Sequence, residues 1–227
     1  MIGIIGAMGV ETDALKAMVE NAKKETVSGV EFVSGQIRGK DVVVAQCGIG
    51  KVFAALATEA MILRYGVEEI LNVGVAGSLS PRLGLLDIAV SDAVVEHDMD
   101  TSPLGDPVGL ISGINIVKIP ADRSLAERIA NTAAAMGKNC VVGTVASGDQ
   151  FIADPARKQY IVDHFDAIAC DMEGAAIGHV CYVNKIPFAV IRSISDNASE
   201  DAGSMEYPTL CTHAAKQSQA LMERLIG

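Results

Sequence analysis

Two acidic residues stand where apolar segments end, and both could transfer protons to or from a bound ligand. Glu11 opens a helical pattern directly after a glycine-rich turn, where the helix dipole favours its ionised form. Asp196 follows the apolar segment PFAVIRSIS, and Arg192 and Ser195 come just before it. Taken alone, each carboxylate also fits a structural role, as a charge at a helix N-terminus or as a cap or turn aspartate.

A second pair of carboxylates flanks a methionine in the segment CDMEGAAIGHV. Asp171 and Glu173 stand at the end of a predicted buried strand, with Met172 between them. Consecutive acid, thioether and acid side chains suit a hydrophobic core poorly, whereas one carboxylate can accept two hydroxyl hydrogen bonds at once. The segment therefore predicts a site that binds sugar hydroxyls.

Two phosphate-binding motifs are incomplete in this chain. A dinucleotide-binding G-x-G-x-x-G fingerprint would need glycine where Ile4 stands, and no acidic residue clearly ends a second strand at the required distance. The GIGK turn lacks the first glycine and the Ser or Thr of a P-loop, because Ala45 and Val52 occupy those positions. It predicts a strand-to-helix turn whose free amides can face a polar ligand atom.

The segment HDMD at 97–100 offers imidazole and carboxylate groups, which bind several divalent ions. The other histidines, His164, His179 and His213, fall within predicted helices, so no histidine at a strand end completes a ligand set. We therefore favour a polar strand end that leads into an irregular loop at 101–113, and we expect neither a metal nor a cofactor.

Alternating strands and helices place these residues at strand ends. The patterns predict a hairpin that turns at Gly39–Lys40, and strands at 1–6, 68–79, 140–146, 167–171 and 187–194 and over a long bent segment at 87–100. A helix is predicted after Gly9, with Leu15, Met18 and Val19 on one face. Further helices are predicted at 51–65, 122–137, 154–165, 173–184 and 206–225. Uninterrupted apolar strands between helices indicate a sheet covered on both faces. We predict one three-layer α/β domain over 1–227, with a mixed, largely parallel central sheet flanked by helices, and ligands at the carboxyl ends of its strands.

Composition excludes several classes of protein. Of the 227 residues 50% are hydrophobic, which excludes disorder. The net charge is −10 and no basic run reaches five residues, so nucleic acid is not an expected partner. The five cysteines form no C-x-x-C motif and indicate reduced thiols in the cytoplasm. The apolar N-terminus meets Glu11 after ten residues and carries no basic leader, so we expect neither a signal peptide nor a membrane span.

Six motifs occur in a characteristic order from end to end: GIIGAM followed by Glu11, then GIGKV, NVGVAGSL, SGDQFI, DMEGAAI and RSISD. Their joint order and spacing resemble the nucleoside phosphorylase family, and within it the 5′-methylthioadenosine/S-adenosylhomocysteine nucleosidases. The resemblance implies hydrolysis of the N-glycosidic bond of adenine nucleosides that carry a 5′-thioether. It implies that Glu11 activates the attacking water, that Asp196 protonates adenine N7, and that Arg192 orients the water.

The resemblance also implies the contacts of a nucleoside substrate. Glu173 would hold the ribose 2′ and 3′ hydroxyls, with Met172 packed against the sugar. The other implied substrate contacts are Phe151 stacked on adenine, the backbone of Ile152 with Ala76 and Gly77 at the adenine edge, Asp171 and Ser195, and Met8, Ile49 and Tyr207 around the 5′ substituent. The family's homodimer would lend the loop around Thr101 to the neighbouring site.

Cleavage of a glycosidic bond needs two carboxylates in opposed environments. One activates the nucleophile at the sugar, while the other donates a proton to the leaving group. Asp196 would have to be protonated near pH 7, roughly three units above its reference pKa and at a cost of about 4 kcal/mol, whereas Glu11 would stay ionised.

Several positions depart from the family pattern. Gly9 and Val10 replace acidic residues found in many members, Val75 replaces a serine, Asp171 replaces a glutamate, and the loop at 101–113 lacks an aromatic segment. Four alternatives stay open: a phosphorolytic relative, a nucleosidase that acts on aminodeoxyfutalosine, a metal-dependent hydrolase, and a non-catalytic nucleoside-binding protein.

Overall fold

Ten strands and six helices form within residues 1–196 and 207–227, the part of the chain that a computed structural model describes; of Asp196, Tyr207 and Pro208 only the backbone is described. The strands are β1 (Ile2–Gly6), β2 (Glu20–Val27), β3 (Val30–Ile37), β4 (Lys40–Gln46), β5 (Glu69–Ser78), β6 (Ile88–Glu96), β7 (Ile119–Pro120), β8 (Cys140–Ser147), β9 (Ala167–Asp171) and β10 (Phe188–Asp196). The helices are α1 (Gly9–Ala17), α2 (Lys51–Tyr65), α3 (Arg123–Ala135), α4 (Pro155–Phe165), α5 (Gly174–Asn184) and α6 (Tyr207–Ile226), and one 3-10 turn spans Ser102–Leu104.

Local signals in the sequence explain where several helices begin and end. Asp122 precedes α3, and its side chain accepts a hydrogen bond from the Leu125 amide. Asp154 does the same for α4, whose first residue is Pro155. Helix α2 ends at Gly66, which has a φ of 61° and so adopts the left-handed conformation that glycine permits at low cost.

The sheet is mixed, as predicted. Nine of its strands follow the order β10-β6-β8-β9-β5-β1-β4-β3-β2, and the short β7 pairs with β6 beside this path. Because β10 also pairs with β5, five of the strands close into a ring. Within the described residues five pairings are parallel and five are antiparallel. The parallel pairings lie around β1, β4, β5 and β10 and around β6, β8 and β9.

Helices cover both faces of this sheet, which confirms the three-layer architecture. On one face Leu15 of α1, Ile129 of α3 and Leu221 of α6 pack in one buried cluster with strand residues. On the other face Met61 of α2 and Ile177 of α5 belong to a second buried cluster. Burial of such side chains contributes roughly 1.5–3 kcal/mol each. That the chain is a single domain stays a prediction.

The first helix and the strand after it differ from the prediction. Met18 and Val19 were expected on the face of α1, but the helix ends at Ala17 and the chain continues as β2. Strand β2 lies at the sheet edge and is mostly exposed, so its sequence ENAKKETV has no alternation of apolar residues that could reveal it. The predicted bent strand over 87–100 is also too long, since β6 ends at Glu96.

Register brings several strand ends to one point. Antiparallel β5 and β9 overlap only at their last residues, where Gly77 pairs with Cys170. Gly77 also pairs with Asp196 of β10, and Ser147 of β8 pairs with Asp171 of β9. The carboxyl ends of four strands therefore meet.

Within the described ranges, no helix has both the length and the apolar character that crossing a bilayer requires.

Candidate active site

A cleft with a volume of about 140 Å³ opens where these strand ends meet. Of the fifteen residues predicted for the site, eleven line it: Met8, Glu11, Ile49, Ala76, Gly77, Phe151, Ile152, Asp171, Met172, Glu173 and Ser195. The structure thus brings together segments that the sequence separates by more than 160 residues, from β1 to β10.

The other four predicted residues have different locations. Arg192 lies behind the cleft wall and is 1% exposed. Thr101 lies outside the lining, and its hydroxyl donates a hydrogen bond to Asp106 at 2.8 Å. The side chains of Asp196 and Tyr207 lie outside the described part of the chain, although the Asp196 backbone pairs with Gly77 beside the cleft.

Glu11 is the third residue of α1, and the residue is 5% exposed. Oε2 accepts hydrogen bonds from the amides of Ala7 and Met8 at 2.8 and 2.9 Å, and Oε1 accepts one from the Val75 amide at 3.1 Å. Burial raises the pKa of Glu11 above its ordinary value, while the three amides and the charge of Arg192 oppose the rise. A buried, fixed carboxylate with a raised pKa is what a general base near neutral pH requires.

Two glycines make room for this carboxylate. A Cβ added at Gly74 would lie 2.8 Å from Oε1 of Glu11 and 3.3 Å from Nη1 of Arg192. A Cβ added at Gly6 would lie 3.2 Å from Cβ of Glu11 and 2.6 Å from Cγ2 of Thr12. Gly6 of the GIIGAM motif and Gly74 of the NVGVAGSL motif are therefore explained by the close approach of α1 and its Glu11 side chain.

The Arg192 guanidinium is held by protein groups on several sides. Nε and Nη2 both lie 2.7 Å from Oδ2 of Asp171. Nη2 also donates to Oδ1 of Asn72, and Nη1 donates to the carbonyl oxygens of Ile191 and Asn72 at 3.1 and 3.3 Å. Asn72 in turn donates to the Ile5 carbonyl at 2.9 Å. Because these partners occupy the guanidinium, Arg192 is placed to position the site from behind its wall.

Asp171 also uses both carboxylate oxygens within the protein. Oδ2 bonds to Arg192, while Oδ1 accepts from the Ser147 hydroxyl and from the amides of Glu173 and Gly174 at 3.2 and 3.1 Å. The Ser147 hydroxyl accepts the Ala175 amide at 2.7 Å. Asp171 therefore fixes the start of α5. The sequence implied a contact between Asp171 and the substrate, and it did not predict this structural role.

Glu173 precedes α5 and is 7% exposed. Its Oε1 accepts a hydrogen bond from the Gly50 amide at 2.8 Å, and Oε2 has no hydrogen-bond partner among the residues that the structure describes. Burial, followed by repulsion from Asp171, raises the pKa of Glu173 to about 7. Glu173 thus presents an oxygen that can bind a hydroxyl group in the cleft.

The loop that follows β8 contributes Phe151 and Ile152 to the lining. Phe151 is 66% exposed at the cleft, whereas Ile152 next to it is 8% exposed. Sequence reasoning missed four lining residues, namely Ala7, Val75, Gln150 and Cys170. Each adjoins a predicted site residue in the chain. In the sequence Val75 stands out only as a departure from the family pattern, Ala7 and Cys170 are small side chains that give no sign of chemistry, and nothing connects the Gln150 amide with the cleft.

The HDMD segment does not act as one cluster. Asp98 accepts from Lys51 Nζ at 2.7 Å, and Asp100 accepts from the Ser102 amide at 2.8 Å. His97 is 1% exposed, and in the described structure neither of its ring nitrogens has a hydrogen-bond partner. Across residues 1–196 and 207–227, no three His, Cys, Asp or Glu side chains lie together as potential metal ligands.

Comparison with known proteins identifies relatives over the whole chain. The sequence profile of the phosphorylase superfamily matches residues 1–227. A 5′-methylthioadenosine/S-adenosylhomocysteine nucleosidase of Shewanella sediminis is 42% identical over 203 residues, which cover 88% of each chain.

Solved structures give the same relationship. A mutant of the Helicobacter pylori nucleosidase with 5′-methylthioadenosine in its active site superposes with a TM-score of 0.92 at 36% identity, over 99% of this chain and 97% of that one. A native futalosine hydrolase of Helicobacter pylori also has a TM-score of 0.92 and 36% identity, over 99% and 96% of the two chains.

Glu173 should make stability depend on pH. Its pKa is raised from 4.5 to about 7, so between these values the native state binds more protons than the unfolded state and stability falls as pH rises. We expect Glu173→Gln to remove this loss. Between pH 5 and pH 8, the free energy of unfolding of the variant should therefore rise by about 1–3 kcal/mol relative to that of the native protein. Urea unfolding at pH 5 and at pH 8 measures the free energy of unfolding, and Glu20→Gln at an exposed position is the control. An equal pH dependence in native and Glu173→Gln proteins would contradict the assignment.

Gly74→Ala should destabilise the fold by displacing the Glu11 carboxylate. The added Cβ would overlap Oε1 of Glu11, and such overpacking costs about 1–3 kcal/mol. Gly84→Ala is the matched control, because its Cβ would meet its nearest neighbour at an ordinary 3.6 Å. Denaturant unfolding compares the two, and similar stabilities would show that Gly74 does not provide the space for Glu11.

Proposed function

The chain belongs to the phosphorylase superfamily, and from this premise we propose that it is an N-glycosyl hydrolase acting on 5′-substituted adenosines. Its substrates are 5′-methylthioadenosine, S-adenosylhomocysteine and similar nucleosides, and its products are adenine and the thioribose. The observation that carries the proposal is the Glu11 carboxylate, buried at the cleft and fixed by three backbone amides. The reaction belongs to nucleoside catabolism and methionine salvage.

Glu11 acts as the general base for the attacking water. Its raised pKa makes it a stronger base than an exposed glutamate, and the amides of Ala7, Met8 and Val75 fix its direction. Arg192 is implied to orient the water, but its bonds to Asp171 and Asn72 favour an indirect role, in which it positions Asp171 and lowers the pKa of Glu11 by its charge. Asp196, at the end of β10, protonates adenine N7 as the C–N bond breaks.

The remaining lining residues bind the nucleoside. Glu173 accepts hydrogen bonds from the ribose hydroxyls, and Met172 packs against the sugar. Phe151 stacks on adenine, while Ile152, Ala76 and Gly77 contact its edge through backbone groups. Met8, Ile49 and Tyr207 surround the 5′ substituent, and Ser195 stands beside the proton donor. No cofactor takes part.

Phosphorolysis is disfavoured by the charges at the cleft. Among the described residues, no lysine or arginine lines it, whereas Glu11, Asp171 and Glu173 do. A bound phosphate would be repelled by these carboxylates and would lack a cation to hold it. Futalosine derivatives are the second candidate substrates, because a futalosine hydrolase is as similar in structure as the nucleosidase.

We also propose that the enzyme is a cytoplasmic, single-domain homodimer. Helix α2 exposes an apolar stripe formed by Val52, Phe53, Leu56 and Leu63, with Leu63 74% exposed. Such an apolar face is typical of an interface between subunits. Ile49, which lines the cleft, precedes the stripe, so a second subunit would lie close enough to bring its Thr101 loop to the site.

The activity is tested by two isosteric substitutions. Glu11→Gln and Asp196→Asn should each keep the fold and lower kcat/KM for 5′-methylthioadenosine by at least about 100-fold, because each removes one partner of the acid–base pair. Release of adenine from a panel of 5′-substituted adenosines and an aminodeoxyfutalosine measures the rates and ranks the substrates. Glu59→Gln, on α2 outside the cleft, is the control.

Each outcome of this assay excludes an alternative. A near-native rate in Glu11→Gln or Asp196→Asn overturns the role of that residue. Ribose 1-phosphate among the products identifies a phosphorylase, and binding without adenine release identifies a nucleoside-binding protein. Loss of the native enzyme's activity on chelation identifies a metal-dependent hydrolase.

The dimer is tested at the apolar stripe. Leu56→Asp should convert a dimer into a monomer, because it places a charge in an interface that would otherwise exclude water. Sedimentation velocity measures the change. Val142→Asp is the matched control, since Val142 on β8 is 40% exposed and lies outside the stripe. A monomeric native protein, or a dimeric Leu56→Asp variant, removes the stripe as the interface.

A further inference from the structure

Helix α2 has an N-terminus that is capped from a distant loop. Gly50 precedes the helix and has no side chain to offer as a cap. Instead Oδ1 of Asp149, which follows β8, accepts a hydrogen bond from the Lys51 amide at 2.8 Å. A carboxylate in this position is stabilised by the unpaired amides and the dipole of the helix.

Asp98 closes a ring with these two residues. Its Oδ1 accepts from Lys51 Nζ at 2.7 Å, and its Oδ2 accepts from the Asp149 amide at 2.9 Å. Burial alone would raise the pKa of Asp98, but the bonds from Lys51 and Asp149 outweigh it and lower the pKa. Lys51, Asp98 and Asp149 thus form a closed ring of three hydrogen bonds, called the Lys51 ring below.

The Lys51 ring joins two sides of the cleft. On one side Ile49 lines the cleft, and the Gly50 amide bonds to Glu173. On the other side Gln150, Phe151 and Ile152 line it directly after Asp149. The Lys51 ring is the connection between the turn that precedes α2 and the loop that follows β8.

Gly50 shows how closely the two segments approach. It has a φ of 99°, and a Cβ added to it would lie 2.9 Å from Oδ1 of Asp149. Any other residue would be strained and would also push Asp149 away. Glycine at this position is therefore a requirement of the contact between the two segments.

We propose that Asp149 is a positioning residue that, through the Lys51 ring, sets the spacing between the adenine side and the 5′ side of the cleft. The proposal rests on the proposed function for the identity of the two sides. Asp149 is exposed and supplies one helix-cap hydrogen bond, and the Lys51–Asp98 ion pair stays in place without it, so the fold should persist and the effect is expected in substrate binding. Substrates that occupy both sides depend on the spacing more than substrates that lack a 5′ group.

Asp149→Ala tests the proposal. We expect KM for 5′-methylthioadenosine to rise about tenfold with kcat changed less than about threefold, and KM for adenosine, which has no 5′-thioether, to rise less than about threefold. Asp149→Asn should stay within about threefold of the native protein for both substrates, because its amide oxygen can still accept the Lys51 amide. Asp122→Ala is the matched control, since it removes the cap of α3 outside the cleft.

Hydrogen–deuterium exchange of the same variants reports on the Lys51 ring without any substrate. Exchange in segments 48–54 and 147–152 should be faster in Asp149→Ala and unchanged in Asp122→Ala. Unchanged exchange in Asp149→Ala overturns the proposal, and so do an unchanged KM, equal losses for the two substrates, or equal losses in the Ala and Asn variants. If the native protein releases no adenine, the proposed function fails, and exchange alone decides on the Lys51 ring.

Discussion

The buried ion pair between Arg192 and Asp171 is the interaction on which the site depends. Arg192 belongs to β10 and Asp171 to β9, and through Asn72 and Ser147 the same network reaches β5, β1 and β8. Breaking such a pair leaves an uncompensated buried charge and costs about 3–5 kcal/mol. The pair therefore fixes the relative positions of the strand ends. These ends carry the hydrogen-bond partners of Glu11, and they also carry Glu173 and Asp196.

The buried carboxylates at the cleft lower the stability of the fold, and the same burial shifts their pKa values in the direction that acid–base chemistry requires. Burial raises the pKa values of Glu11 and Glu173, which means that the protein holds carboxylates in an environment that disfavours their ionised form. The amides around Glu11 and the Gly50 amide at Glu173 offset part of that cost. Shifted pKa values of this kind cluster at functional sites, where reactivity and stability are in conflict.

Much of the fold and site could be predicted because the informative residues are local. Apolar strands with glycine-rich ends revealed the order of elements, and acidic residues after those strands revealed Glu11 and Glu173. Asn72 could not be found, because a polar residue within a strand has no visible partner until β10 lies beside β5. The Asp171 oxygen that accepts the Ser147 hydroxyl has a partner 24 residues away, and Asp149 and Lys51 are 98 residues apart. Local sequence patterns do not encode contacts between residues so far apart in the chain.

The balance of charge at the cleft favours the proposed reaction over its phosphorolytic relative. Glu11, Asp171 and Glu173 face one guanidinium, Arg192, which is paired with Asp171. Burial, followed by repulsion from Asp171, raises the pKa of Glu173 to about 7. A positively charged, oxocarbenium-like sugar is stabilised by such surroundings, while a phosphate dianion is not. Neutral water can enter where an anion is repelled, so under the proposed function the carboxylates that would bind the sugar and activate the water would also select the nucleophile.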